Sequence, residues 1–206
     1  LLTGIVLLGG IKSISRVACF LVPFMAILYT STGLLILFIH IGKIPEAFGT
    51  ILYSAFNGQA ATGGFAGSTV LVAIRYGVAR GIFSNEAGLG SASIVAAAAR
   101  TDQPGRQAMV SMTGTFLDTI IVCTITGLVI AVTGVLGKTD SNGVILDGAR
   151  MTVSAFSVIS GGKYVVTCGI ILFAYSTMLG WAYYGEKCIQ YLLGIESTIP
   201  YRVLFI

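Results

Sequence analysis

Residues 81–93 read GIFSNEAGLGSAS, a polar, glycine-rich string between two apolar runs. Taken as helix, Ala87–Ser91 sets the Ser91 hydroxyl beside the Ala87 carbonyl, because a helical serine reaches the carbonyl four residues back. Two oxygens on one face are half of a site for a small hard cation such as sodium, by analogy with calcium and magnesium ligation. The remaining ligands would come from another helix, most simply from unwound backbone carbonyls. Gly88 with Ala92, Gly77 with Gly81, and Gly63 with Gly67 form small-xxx-small pairs. Such pairs let helix backbones approach closely, as a shared cation requires. The same glycines and serines also suit plain helix packing.

Glu86 is the sharper feature. A charge inside a span costs at least about 2.5 kcal/mol on insertion scales, so it needs a partner, a water-filled cavity or a proton. It reads as a gate residue, a proton site or a cation ligand, with Asn85 beside it. It reads equally as half of a structural pair with Arg80 near the membrane surface. Asp118 poses the same question one helix later, with Thr115 and Thr119 nearby. Thr177 and Trp181 stand four apart in FAYSTMLGWAYYGEK and share a helix face. A hydroxyl beside a broad apolar wall suits a small amphipathic solute. Trp181, Tyr183 and Tyr184 also fit an interfacial aromatic belt, and for the tyrosines the belt is the expectation. His40 falls at a helix end and reads as interfacial.

These residues sit in a chain built for a bilayer. Of 206 residues, 55% are hydrophobic and 10% charged, against about 25% charged in an ordinary soluble domain. Residues 17–39 and 164–185 carry no charge, and 107–137 only Asp118. Each run is long enough for a helix that crosses the hydrocarbon core, which takes roughly 20 apolar residues. The expectation is an all-α integral membrane protein. Both ends fall inside apolar runs, which reads as a fragment of a larger membrane protein. The net charge of +4 comes from single basic residues scattered between apolar runs, not from a basic stripe, so nucleic acid is not an expected partner. Cys19, Cys123, Cys168 and Cys188 make no CxxC pair and read as small packing residues. No Walker loop, HExxH, GxSxG or paired-carboxylate pattern is present, and no enzyme is expected.

Along the chain, residues 1–9 read as the tail of a span and GIKSISR (10–16) as a short basic loop. Spans are expected at 17–40, 79–99, 107–136 and 164–191, with an external hairpin over 43–78 and a further span starting at 197–206. Basic residues in short loops mark the cytoplasmic side. GIKSISR, RTDQPGR and GEK fall on one side if residues 41–99 cross an odd number of times, and one crossing plus the external hairpin fits.

Three strings, GVARGIFSNEAGLGSASIVAAAARTD, TFLDTIIVCTITGLVI and STMLGWAYYGEKC, closely resemble the alanine or glycine:cation symporter family. GGIK, VPFMA and AATGGFAG resemble it too. The resemblance implies a fold similar to the leucine-transporter group, with two inverted five-helix repeats. This chain would hold the later helices of the second repeat, as a partial leucine-transporter-like bundle. It would need the first-repeat helices of the same protein and a lipid bilayer. In that fold an AGLTSS-like string on the eighth helix supplies sodium ligands, and AGLGSAS stands here. The likeness makes Ala87 a carbonyl ligand and Ser91 a hydroxyl ligand, while Gly90 replaces the pattern's threonine. Thr177 and Trp181 resemble substrate-facing positions, and Asn85, Glu86 and Asp118 become gating or coupling candidates. The implied function is sodium-coupled symport of a small neutral amino acid, alanine or glycine, by alternating access. The setting would be multi-pass in the plasma (inner) membrane, with sodium as the transported coupling ion. Proton coupling through Glu86, and a passive channel or structural membrane subunit, are the alternatives.

Overall fold

The computed structural model describes residues 2–57, 77–79, 81–86, 88–140 and 143–206. The described residues fold as α1 (Leu2–Leu8), α2 (Gly10–Ile39), α3 (Ile44–Asn57), α4 (Ser91–Ala96), α5 (Pro104–Val132), α6 (Gly148–Phe156), α7 (Gly162–Leu193) and α8 (Thr198–Phe205). Among them, α2, α5 and α7 are long and apolar enough to cross a membrane. The chain is thus an all-α membrane protein.

Two apolar cores lie at opposite ends of the antiparallel pair α2 and α7. One joins Tyr29, Ile36 and Leu37 of α2 to Ile125, Val129 and Val132 of α5, Phe156 of α6 and Val166 of α7. Phe156 and Val129 are fully buried. The Tyr29 ring stacks on Phe156 at 5.0 Å, and its hydroxyl lies 2.7 Å from Thr126 Oγ1. Gly33 permits this packing, since a Cβ there would collide with Ile125 Cγ2. The other core joins Leu7 and Ile14 to Leu179, Ala182 and Tyr183. On another face of α7, Phe173, Thr177 and Trp181 stay exposed. Many large side chains of α2 also face outward, Phe20 and Phe38 among them, as lipid or further helices demand.

Three sequence expectations need correction. GIKSISR is not a loop: it forms the first turns of α2, and the chain turns at Gly9–Gly10, where Gly10 has φ 66°. Lys12 and Arg16 point outward while Ile14 packs inward, so the charges need no loop to reach water. Residues 79–99 are not one helix. A helical turn at 81–84 is followed by turns over the described residues of 85–90 and then by α4. Tyr183 is no belt residue, being 4% exposed in the second core. The four cysteines lie on this chain's surface.

A separate polar cluster closes the end of the bundle at α8. Arg202 donates from Nε to Glu186 Oε2 at 2.7 Å and from Nη2 to Oε1 at 3.0 Å. Its Nη1 reaches the Leu8 carbonyl at 3.2 Å. Gln190 spans from Glu186 to Thr198. One guanidinium therefore ties α1, α7 and α8 together.

Candidate functional site

The break in the expected eighth helix begins with its glycines. Gly88 has φ 74° and Gly90 has φ 79°, a left-handed region that glycine enters without the Cβ penalty. Glu86 is the one described non-glycine residue with positive φ, at 51°. Such a backbone persists only when its surroundings hold it. Here the hold is on the side chain. Ser91 Oγ donates to Glu86 Oε2 at 2.7 Å. The Tyr184 hydroxyl of α7 donates to the same carboxylate, at 3.0 Å to Oε2 and 3.2 Å to Oε1.

Ser91 is therefore not placed by the helical spacing expected of it. It stands at the first position of α4, 8% exposed, with its hydroxyl turned to Glu86. The proton is committed, and the oxygen keeps lone pairs with which a hydroxyl can accept or ligate. Ala87, the expected carbonyl ligand, lies outside the described residues, as do Arg80 and the Gly63–Gly67 pair.

The same segment grips α5. Ser84 Oγ donates to Asp118 Oδ2 at 2.5 Å. Asn85 Nδ2 donates to Thr119 Oγ1 at 2.9 Å, and that hydroxyl lies 3.1 Å from Asn85 Oδ1. Asp118 and Thr119 belong to a π-helical stretch of α5, Phe116–Val122. Wide turns of this kind are rare and concentrate at functional sites. Arg202–Glu186 and Arg106–Asp102 are ion pairs among the described residues, and neither Glu86 nor Asp118 belongs to them.

A cavity of about 650, 530 or 280 Å³ opens at several places, and the 530 Å³ one joins the expected residues. Glu86, Asp118, Thr177 and Trp181 line it together with Ala79, Phe83, Ser84 and Phe173. The volume is in the range of small-molecule sites. Phe83 stacks on Trp181, with centroids 6.3 Å apart and planes 17° apart. Tyr184 meets the edge of Trp181 at 5.8 Å. Asn85 and Tyr184 line a smaller adjoining cavity with Glu86 and Asp118. Six of the seven candidates thus converge, five lining these cavities or both and Ser91 joined through Glu86.

Phe83, Ser84 and Tyr184 were missed as site residues. The spacing offered a signal for Tyr184, which follows Trp181 by three and Thr177 by seven and so lies on the same helical face. Its aromatic character at a span's end pointed to a belt instead. Nothing in the string marked Phe83, because its role depends on a ring from another helix.

The family model for the sodium:alanine symporter family matches residues 1–206. A sodium/alanine symporter from Methanococcus maripaludis is 55% identical over 99% of this chain and 44% of its own length. A putative sodium/proton-dependent alanine carrier of Bacillus subtilis is 36% identical over 96% of this chain and 42% of its own length. A probable sodium/glutamine symporter of the same organism is 34% identical over 97% and 41%. The chain spans less than half the length of these relatives. Family and relatives are transporters rather than enzymes, and the match runs through the polar segment, the π-turn and the α7 face alike. The chain belongs to the sodium:alanine symporter family.

Proposed function

We propose that this chain forms the later helices of the second repeat in a sodium-coupled symporter for a small neutral amino acid, alanine or glycine. It would work by alternating access in the plasma membrane, on a leucine-transporter-like fold completed by the first-repeat helices. The observation that carries this reading is the shared cavity. Thr177 offers a hydroxyl, Trp181 an apolar wall and Glu86 and Asp118 negative charge, and Ser91 stands one hydrogen bond away.

Each residue then has a role. Trp181 limits side-chain size by filling space, and Thr177 supplies a polar contact to the solute. Sodium binds at the lone pairs of Ser91, with the Ala87 carbonyl as a second ligand and further oxygens from the first repeat. Asn85 and Asp118 lock the polar segment onto α5 and so transmit its movement. Coupling requires that sodium bind the two conformations with different affinity, since an ion that binds both equally shifts nothing.

A second reading has one observation in its favour. The Glu86 carboxylate lines the cavity and is in neither of the ion pairs seen among the described residues, so no described cation pins it as an anion, as a proton carrier requires. One experiment separates the readings. The full-length protein in proteoliposomes is given labelled alanine with an inward sodium gradient, with potassium in its place, or with a pH gradient alone. Accumulation with sodium only supports sodium symport. Accumulation with the pH gradient alone supports Glu86 as carrier. No accumulation in any arm rejects both and leaves a channel or structural subunit.

A further inference from the structure

We propose that Tyr184 is a positioning residue that ties the sodium-facing Ser91 to the substrate-facing helix α7 through the Glu86 carboxylate; this rests on the sodium-symport reading above. The two hydroxyls converge on one acceptor. Ser91 Oγ lies 2.7 Å and the Tyr184 hydroxyl 3.0 Å from the same Glu86 oxygen. A hydroxyl has one proton and two lone pairs. By accepting the Ser91 proton, Glu86 turns the lone pairs of that oxygen away from itself and toward any cation. By donating to both carboxylate oxygens, Tyr184 fixes where Glu86 can be.

The link closes into a ring. Tyr184 packs against the edge of Trp181, Trp181 stacks on Phe83, and Phe83 precedes Glu86 by three residues in the chain. Two contacts of different kind, a ring stack and a charge-assisted hydrogen bond, therefore join the segment 81–91 to one face of α7. Displacing Trp181 when the cavity fills must move Tyr184 or strain the stack, and either change reaches Glu86 and then Ser91. Groups that orient a metal ligand without touching the metal commonly change its affinity by 10- to 100-fold when removed. Sodium and the amino acid would thereby sense each other through side chains rather than by direct contact.

The test uses the full-length protein in proteoliposomes. Sodium activation of alanine uptake is measured at low and at saturating alanine for the parent, Tyr184→Phe, Glu86→Gln and the double variant. In Tyr184→Phe, half-maximal sodium is expected to rise on the order of tenfold, a larger shift than that of half-maximal alanine at saturating sodium. Saturating alanine should no longer lower the sodium requirement. The double variant should resemble Glu86→Gln alone, because residues acting through one another are not additive. An unshifted sodium curve in Tyr184→Phe, or additive effects in the double variant, overturns the proposal. If Tyr184→Phe does not reach the membrane folded, Glu86→Gln alone decides: an unchanged sodium requirement there overturns it equally. A parent that needs no sodium sinks the symport reading itself, whereas a sodium-dependent parent with an unshifted Tyr184→Phe sinks only the link.

Discussion

Glu86 is a carboxylate bound by a side chain of α7 and Glu186 is a carboxylate of α7 itself, and they are held in opposite ways. Glu186 is 5% exposed and grips Arg202 through both oxygens. Its charge is neutralised, and its neighbours Gln190 and Thr198 complete the cluster. Glu86 is only half-buried, has a left-handed backbone, and takes its described hydrogen bonds from two hydroxyls. Hydroxyls orient a carboxylate without cancelling its charge. A buried acid paired to a guanidinium is part of the frame. A half-buried acid held by hydroxyls at a cavity keeps its negative potential for something that arrives.

The largest expected effect breaks the frame. Arg202→Ala leaves Glu186 buried without a cation and is expected to cost about 3 kcal/mol or more, read as a lower unfolding temperature of the full-length protein in detergent. Changing both residues to methionine should recover most of that loss, since paired apolar replacements of buried ion pairs are often near neutral. Sodium activation of the surviving Arg202→Ala protein should match the parent. A shifted sodium curve would dissolve the contrast between the two acids.

Next comes Ser91→Ala, which removes a proposed ligand and should raise half-maximal sodium on the order of tenfold while the substrate profile stays. Equal activation curves would take sodium away from this serine. Trp181→Ala enlarges the cavity and should admit amino acids bulkier than alanine, checked by competition uptake. An unchanged profile would move the substrate elsewhere. The smallest effect is on stability: Glu86→Gln should lower the unfolding temperature less than Arg202→Ala, at a cost of about 1–2 kcal/mol, because it weakens charge-assisted hydrogen bonds but removes no ion pair among the described residues. A loss as large as that of Arg202→Ala would make Glu86 a frame residue after all.

The membrane class was legible because long uncharged runs have few other uses. The candidate residues were legible because polar groups are costly in such runs, and cost marks position whatever the local fold. The local geometry was less so. Ala87–Ser91 read as helix from its apolar and small residues, but Gly88 and Gly90 take left-handed angles that no spacing rule registers. GIKSISR read as a loop from its charges, although exposed lysine and arginine sit well on one side of a helix. Tyr184 was hidden for a third reason. Its partner stands 98 positions away, and long-range pairing leaves no trace in local pattern.

The π-turn over Phe116–Val122 bears on how this family should be aligned. A helix turns about 100° per residue, so one surplus residue in a wide turn rotates everything on one side of it relative to the other. The core face of Ile125, Val129 and Val132 fixes one side. Asp118, inside the wide turn, accepts from Ser84 on the other. A relative with one residue fewer between these points is expected to carry an ordinary helical turn, with its acid swung away from the partner serine. A single-residue gap at this place would then separate transporters that hold the polar segment onto this helix from those that have let it go.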